Sequence, residues 1–190
     1  MNFYEDPKQI DKYEKMCEEY DGLELYEVLD KHLKENSSVL ELGCGPGNDI
    51  EYLHKKYQVT GSDLSEEFLR RCKKRFESIA FLKLDVISID TDKKFECIFS
   101  NKVLHHLTIE ELEESLKRQQ EVIAPNGIFA HTFWLGDKEF TMEGMLFVFH
   151  DKEKLLTLIS KYFSILESYD YMEFEEGDSI LIIAKNDKSI

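Results

Sequence analysis

The chain has 190 residues, 42% of them hydrophobic and 33% charged, and a formal net charge of −15. That length and balance describe one globular domain with a substantial core. The charge works against phosphate backbones and anionic membranes, so neither nucleic acid nor a membrane is expected as a partner. No apolar run reaches the ~18 residues of a membrane span. Met1-Asn2-Phe3-Tyr4-Glu5-Asp6-Pro7 is acidic and lacks the core of a signal peptide. Cys17, Cys44, Cys72 and Cys97 are scattered without C-x-x-C spacing. Reduced thiols in the cytoplasm are expected, with neither disulfides nor a metal site. Arg70-Arg71-Cys72-Lys73-Lys74-Arg75 is a local basic cluster, read as the solvated face of a helix.

In chain order, residues 7 to about 34 carry apolar side chains at helical spacing, among them Ile10, Tyr13, Tyr20, Leu29 and Leu33. They predict two helices with a break near Asp21-Gly22. Strand 39–43, helix 48–56, strand 58–63, helix 65–75, strand 79–84, strand 95–100, helix 108–122, strand 127–133 and helix 151–161 follow. Ser65 reads as a helix start, and Thr108 with Glu111 fits a capping box. Strands 162–171 and 179–185, separated by Glu175-Glu176-Gly177-Asp178, should form an antiparallel pair. Alternating strands and helices predict a doubly wound, mostly parallel α/β sheet with helices on both faces. Within a single domain 1–190, residues 1–36 form a helical cover and 37–133 a cofactor-binding core. Residues 134–150 form a substrate lid, and 151–190 the final helix and strand pair.

The most informative stretch is Val39-Leu40-Glu41-Leu42-Gly43-Cys44-Gly45-Pro46-Gly47-Asn48, a strand, a glycine turn and a helix start. Glycines allow a sharp turn and close backbone approach to a ligand, and the helix N-terminus offers free N–H groups. The pattern is neither G-x-G-x-x-G nor a Walker loop. About twenty residues beyond Gly43, the next strand ends at Asp63, where nucleotide-type sites hold a ribose diol.

Glu41-Leu42-Gly43-Cys44-Gly45-Pro46-Gly47 resembles the first motif of class I S-adenosylmethionine-dependent methyltransferases. The resemblance continues through Gly61-Ser62-Asp63-Leu64-Ser65, Leu84-Asp85-Val86, Ser100-Asn101-Lys102-Val103-Leu104-His105-His106-Leu107 and Pro125-Asn126-Gly127. It runs from about Tyr13 to the C-terminus, in the family's order and spacing. It implies a Rossmann-like seven-stranded sheet whose last strand runs against the others. The implied cofactor is S-adenosylmethionine, with S-adenosylhomocysteine as product. By this resemblance Gly43, Cys44 and Gly45 pack against the cofactor's methionine part, and Glu41 orients the turn and the amino-acid end. Asp63 accepts both ribose hydroxyls, as an acceptor-only group with two oxygens can, and Leu64 lies on the adenine. Asp85 accepts from the adenine amine while the Val86 N–H faces the ring, and Asn101 borders the methionine portion. Tyr13, Tyr20 and Tyr4 are candidates to fold over the cofactor, where an aromatic face attracts a sulfonium.

Adjacent His105 and His106 point in different directions, which argues against joint metal ligation, and no partner has zinc spacing. They read either as packing residues or, for His106, as a general base toward the methyl acceptor. Residues 134–150 are irregular and rich in aromatic side chains and Met, which suggests a lid over an apolar or aromatic small molecule. His131 and Trp134 could line the same pocket. The chain has no Asn/Asp-Pro-Pro-Tyr and no Pro-Cys, the usual marks of DNA amino and cytosine methylation, so a small-molecule acceptor is expected, handled by a monomer or homodimer. Two alternatives remain open here: an NAD-dependent Rossmann oxidoreductase, and a non-catalytic cofactor-binding or partner-binding protein.

Overall fold

A computed structural model describes residues 7–17 and 21–187. Helices α1 (Pro7–Met16) and α2 (Leu23–Asp30) precede strand β1 (Ser38–Leu42). Then come α3 (Asn48–Leu53), β2 (Gln58–Asp63), α4 (Glu66–Arg75), β3 (Ala80–Lys83) and β4 (Phe95–Ser100). A 3-10 turn, Leu104–His106, leads into α5 (Ile109–Val122) and β5 (Ile123–Trp134). The chain continues through β6 (Glu139–Met142), β7 (Met145–Val148), α6 (Lys152–Ser160), β8 (Ser164–Tyr171) and β9 (Ser179–Lys185).

The main sheet has seven strands in the order β3-β2-β1-β4-β5-β9-β8. Pairings from β3 to β5 are parallel, and β9 is antiparallel to both β5 and β8. The expected sheet with one reversed strand is therefore present. The chain leaves β1 toward β2 and β3, then returns to lay β4 on the other side of β1. In open α/β sheets a ligand crevice opens at such a reversal, outside the carboxyl ends of the strands.

Strand periodicity explains both layers. Val39, Cys97, Phe99, Ala130, Leu181 and Ile183 pack with Leu25, Leu29, Ile50, Leu53, Leu69 and Cys72 of α2, α3 and α4. Their neighbours in sequence, Leu40, Ile98, Phe129, Ile180 and Ile182, pack on the other face with Leu112, Leu116, Leu155 and Ile159 of α5 and α6. A sheet buried on both faces needs apolar side chains at successive positions, as these runs supply. The capping box at α5 forms as expected: Thr108 Oγ1 accepts from the Glu111 N–H at 3.2 Å, and Glu111 Oε2 accepts from the Thr108 N–H at 2.9 Å.

Two segments differ from the sequence reading. Strand β5 begins earlier than 127, at Ile123, with its register against β4 passing from Ile123 directly to Ile128. Residues 134–150 are not an irregular loop, because β6 and β7 pair as an antiparallel hairpin. Its turn is Glu143-Gly144, with φ of 52° and 83°. Two successive positive φ angles are what a two-residue type I′ hairpin turn requires. Of the helices, α1 is the most loosely packed, with Ile10 its buried residue. Arg71 on α4 fastens it by donating to Asp11 Oδ1 at 2.8 Å and Glu14 Oε2 at 2.7 Å.

Candidate active site

The turn after β1 is built on left-handed backbone at Gly43 (φ 66°), Gly45 (φ 48°) and Gly47 (φ 83°). At Gly43 a Cβ would stand 2.7 Å from Val103 Cγ2, so the turn and the segment after β4 close on each other only because that atom is missing. The turn then meets the tip of β2. Asp63 Oδ2 accepts from the Gly45 N–H at 2.9 Å, and Oδ1 accepts from the Ser65 N–H at 2.8 Å. Burial raises the Asp63 pKa, while these backbone donors pull it back. A carboxylate holds about four lone-pair sites, so acceptor capacity remains toward the crevice.

Two further carboxylates crowd the same turn. Glu41, 1% exposed, lies behind it with Oε2 unpartnered. Burial holds its pKa well above the carboxylate range, and the charges of Asp49, Cys72 and Asp63 add to this. Asp49, in the first turn of α3, is also raised by burial, opposed by hydrogen bonds from Tyr26 and Asn101. Its Oδ1 accepts from the Tyr26 hydroxyl at 2.8 Å and from Asn101 Nδ2 at 3.0 Å. Asn101 Oδ1 in turn accepts from Thr132 Oγ1 at 3.0 Å, and Thr132 Oγ1 accepts the Lys102 N–H at 2.8 Å. This chain of polar groups ties α2, α3, β4 and β5 together beneath the crevice floor.

The crevice is a cavity of about 510 Å³ whose wall includes Tyr13, Gly43, Gly45, Asp63, Leu64, Asp85, Val86, Asn101 and His106. Nine of the twelve site residues named from sequence thus come together around one space. Leu64 stands half exposed on the wall. Asp85 Oδ1 accepts from the Ile87 N–H at 2.7 Å, which folds the loop after β3 into a turn at the wall. Glu41 and Cys44 do not reach the cavity. The Cys44 side chain packs in the core, and its N–H donates to the Ser62 carbonyl at 2.8 Å. Tyr20 and Tyr4 lie outside the described residues. Among those described, no group of three His, Cys, Asp or Glu side chains is arranged to hold a metal, and no helix is long and apolar enough to cross a membrane.

The two histidines separate as their spacing suggested. His105 is buried and stacks on Trp134, ring centroids 4.0 Å apart and planes at 11°. Burial, then the charges of His106, His150 and Lys102, hold its pKa well below the usual value. His106 lines the cavity, and its Nδ1 lies 2.7 Å from the Leu146 carbonyl. A carbonyl only accepts, so Nδ1 carries the proton and Nε2 is the bare nitrogen. Burial lowers the His106 pKa, and that backbone bond partly restores it. His131 is buried beneath the site, with Nδ1 2.6 Å from Ser100 Oγ.

Residues 39–127 match the family model described as a methyltransferase domain. Over that stretch the chain is similar to methyltransferase domains. Trans-aconitate 2-methyltransferase of Methylobacterium nodulans is 33% identical over 99 residues, covering 48% of this chain and 36% of that protein. An uncharacterized methyltransferase of Oceanobacillus iheyensis is 34% identical over 119 residues, 62% of this chain and 54% of that one. The chain therefore matches roughly a third to a half of the length of these relatives. The methyltransferase fold extends to nearly the whole chain. The 1,6-didemethyltoxoflavin-N1-methyltransferase of Burkholderia thailandensis, solved with 1,6-didemethyltoxoflavin and S-adenosylhomocysteine, superposes with a TM-score of 0.78. It is 21% identical, with 92% of this chain and 82% of that one covered. The N-methyltransferase NodS of Bradyrhizobium japonicum, in complex with S-adenosylhomocysteine, gives 0.78 at 17% identity over 99% and 100%.

Sequence reasoning missed several residues of this site. Asp49 carries an ordinary signal, an acid in a helix's first turn, which reads as a partner for the helix dipole. Lys102 adopts a left-handed φ of 59° and pairs with Glu173 at 2.5 Å, a contact across the fold with no local signature. Gly144, Met145 and Leu146 bring the hairpin tip to the cavity wall. Their approach depends on a turn that the residue pair Glu-Gly did not announce.

Proposed function

We propose that this protein transfers a methyl group from S-adenosylmethionine to a small-molecule acceptor. The observation that carries the reading is the chemistry of the glycine turn. Three carboxylates, the buried Glu41 and the part-buried Asp49 and Asp63, surround it, each with its pKa raised by desolvation. A carboxylate whose ionised form is disfavoured in this way is relieved by a nearby cation and penalised further by a diphosphate. S-adenosylmethionine carries a sulfonium and an ammonium, whereas NAD would bring a pyrophosphate to the same turn. The residues present fit the cofactor in other respects. A Cβ on Gly45 would lie 3.9 Å from Tyr13 Cε1, so the turn and that ring leave a cradle between them. Asp63 would take the ribose hydroxyls, Leu64 the adenine face, and Asp85 with the Val86 N–H the adenine edge.

When bound, the cofactor supplies an electrophilic methyl on sulfur. The chain supplies position and exclusion of water. His106 is read as the general base, with Nε2 taking the acceptor's proton. Its depressed pKa keeps the ring neutral at physiological pH, as a base must be. The hairpin residues Met145 and Leu146, with Leu107, make this end of the cavity apolar. This supports an acceptor with an apolar or aromatic flank. The four free cysteines suit a reducing, cytoplasmic setting for a monomer or homodimer.

Calorimetric titration with S-adenosylmethionine, S-adenosylhomocysteine and NAD in parallel tests the reading. Binding of the first two and rejection of NAD is expected. Binding of NAD alone, or of none, would overturn it. Binding of both S-adenosyl compounds with no turnover over a broad panel of small amines, phenols, thiols and carboxylates would leave a non-catalytic binding protein.

A further inference from the structure

The hairpin β6–β7 stands outside the main sheet, yet its backbone reaches the one histidine on the cavity wall. The His106 Nδ1–H donates to the Leu146 carbonyl at 2.7 Å. Among the described residues no protein group bonds Nε2. A neutral imidazole carries a single ring proton, and the hydrogen bond made by one nitrogen decides which nitrogen holds it. Seated as it is, the hairpin puts the proton on Nδ1 and leaves Nε2 bare. Without that carbonyl, Nε2 is free to carry the proton, and the ring then faces the cavity as a donor.

The hairpin is held chiefly through β7, whose Phe147 and Val148 are buried. Phe147 packs edge-on against His106 at 4.7 Å and lies parallel to Trp134 at 5.8 Å and to Phe140 at 5.2 Å. Strand β6, by contrast, is exposed along its length, with Phe140 42% and Met142 53% exposed. At Gly144 the side-chain direction is open, since no atom lies within 4 Å of the place a Cβ would occupy. Such an element can lift without unpacking the core.

We propose that the hairpin is the positioning element for His106: with the hairpin seated, the Leu146 carbonyl fixes the tautomer that can accept a proton from a bound acceptor. This rests on the reading of His106 as base. In the proton step the acceptor's N–H, O–H or S–H bond breaks, an Nε2–H bond forms, and His106 leaves as an imidazolium hydrogen-bonded to Leu146. The substrate class follows. It is a small molecule whose nucleophile must shed a proton, entering with the hairpin lifted and reacting with it seated. A thiolate or carboxylate, already deprotonated, would draw nothing from this arrangement.

The chain's single tryptophan, Trp134, stacks on this assembly and reports the hairpin directly. The test uses full-length protein labelled with 15N in the histidine rings, with His106→Gln to assign the resonance. Wild type should show His106 protonated at Nδ1 and bare at Nε2. Gly144→Pro imposes a φ near −65°, which the +83° turn cannot accept. A second variant replaces 139–148 with Gly-Ser-Gly and removes Leu146 altogether. In the shortened variant, and in Gly144→Pro if its Trp134 emission shifts to the red, His106 should gain the Nε2–H tautomer. Retained binding of S-adenosylhomocysteine shows that the fold survives. A bare Nε2 that persists in the shortened variant would overturn the proposal. Full turnover by His106→Gln would instead remove the base reading, while the tautomer result reports on the hairpin independently.

Discussion

The Gly45 N–H donates to Asp63 Oδ2 at 2.9 Å, joining the glycine turn after β1 to the tip of β2 across eighteen residues of sequence. The carboxylate is thereby aimed before any ligand arrives. Removing it costs both the prepared acceptor and the brace on the turn.

Asp63→Ala is therefore expected to weaken S-adenosylhomocysteine binding by about a hundredfold or more, since hydrogen bonds to a charged group are worth about 1.5–3 kcal/mol each. The pH dependence has a definite sign. Burial raises the Asp63 pKa, so protons compete with the ribose donors at a pH above the usual carboxylate range. Affinity should fall as pH drops through that raised value and be steady above it. Asp63→Asn should bind weakly with no such slope. Parallel calorimetric profiles for wild type and Asp63→Asn would contradict this.

Glu41→Gln should stabilise the ligand-free protein at alkaline pH. Glu41 is buried with an unpartnered Oε2 and a folded-state pKa raised well above the unfolded one of about 4.3. The folded state therefore binds this proton more tightly than the unfolded state. Its contribution is fully present below the unfolded pKa and is lost as pH rises through the folded one. Glutamine has no proton to lose. At pH 8 the variant is expected to gain about 1–3 kcal/mol in urea unfolding, with a smaller gain at pH 5. A constant offset between the two curves would show that Glu41 does not titrate in this way.

Gly43→Ala should destabilise by about 2–4 kcal/mol, combining a left-handed backbone with overpacking against Val103. Gly177→Ala is its control. There φ is 74° but nothing lies within 4 Å, so only the backbone cost of about 1–2 kcal/mol applies. Val103→Ala should partly rescue Gly43→Ala and leave Gly177→Ala unchanged. Equal effects at the two glycines in thermal unfolding would mean that the Val103 contact relaxes freely.

Arg71→Ala should release α1 and with it Tyr13 from the cavity wall. Arg71 bonds Asp11, Glu14 and Glu67, and the hydrogen bonds of Arg70 and then Arg71 draw the Glu67 pKa down to about 2. Cofactor affinity is expected to fall by about fivefold, in line with about 1 kcal/mol for a partly screened ion-pair network. Wild-type affinity should decline in 1 M salt toward the variant's value. A variant whose affinity matches wild type at all salt concentrations would show that α1 does not cover the ligand.

The sheet and about half of the cavity wall were legible in sequence because their causes are local. Val39 and Leu40 belong to opposite faces by the two-residue period of a strand, and Thr108 with Glu111 declares the start of α5. Asp63 could be found by its distance from the glycine turn. The hairpin could not, since Glu143 holds a positive φ that glutamate rarely adopts. The lateral place of β9, between β5 and β8, is set by pairing with β5 across 45 residues (Trp134 with Ser179) to 57 residues (Ile128 with Lys185). The Leu146 carbonyl belongs to the backbone, and no side chain announces its bond to His106.

The position of β9 has a consequence for how the chain is made. This strand follows every other strand in sequence, yet it lies inside the sheet, with Ile180, Leu181, Ile182, Ile183 and Ala184 wholly buried. Until it leaves the ribosome, β5 has an open edge and β8 has no neighbour. Nascent chains halted before residue 179 should thus be held by chaperones and degraded by proteases, and release should depend on the emergence of β9 rather than on the glycine turn after β1.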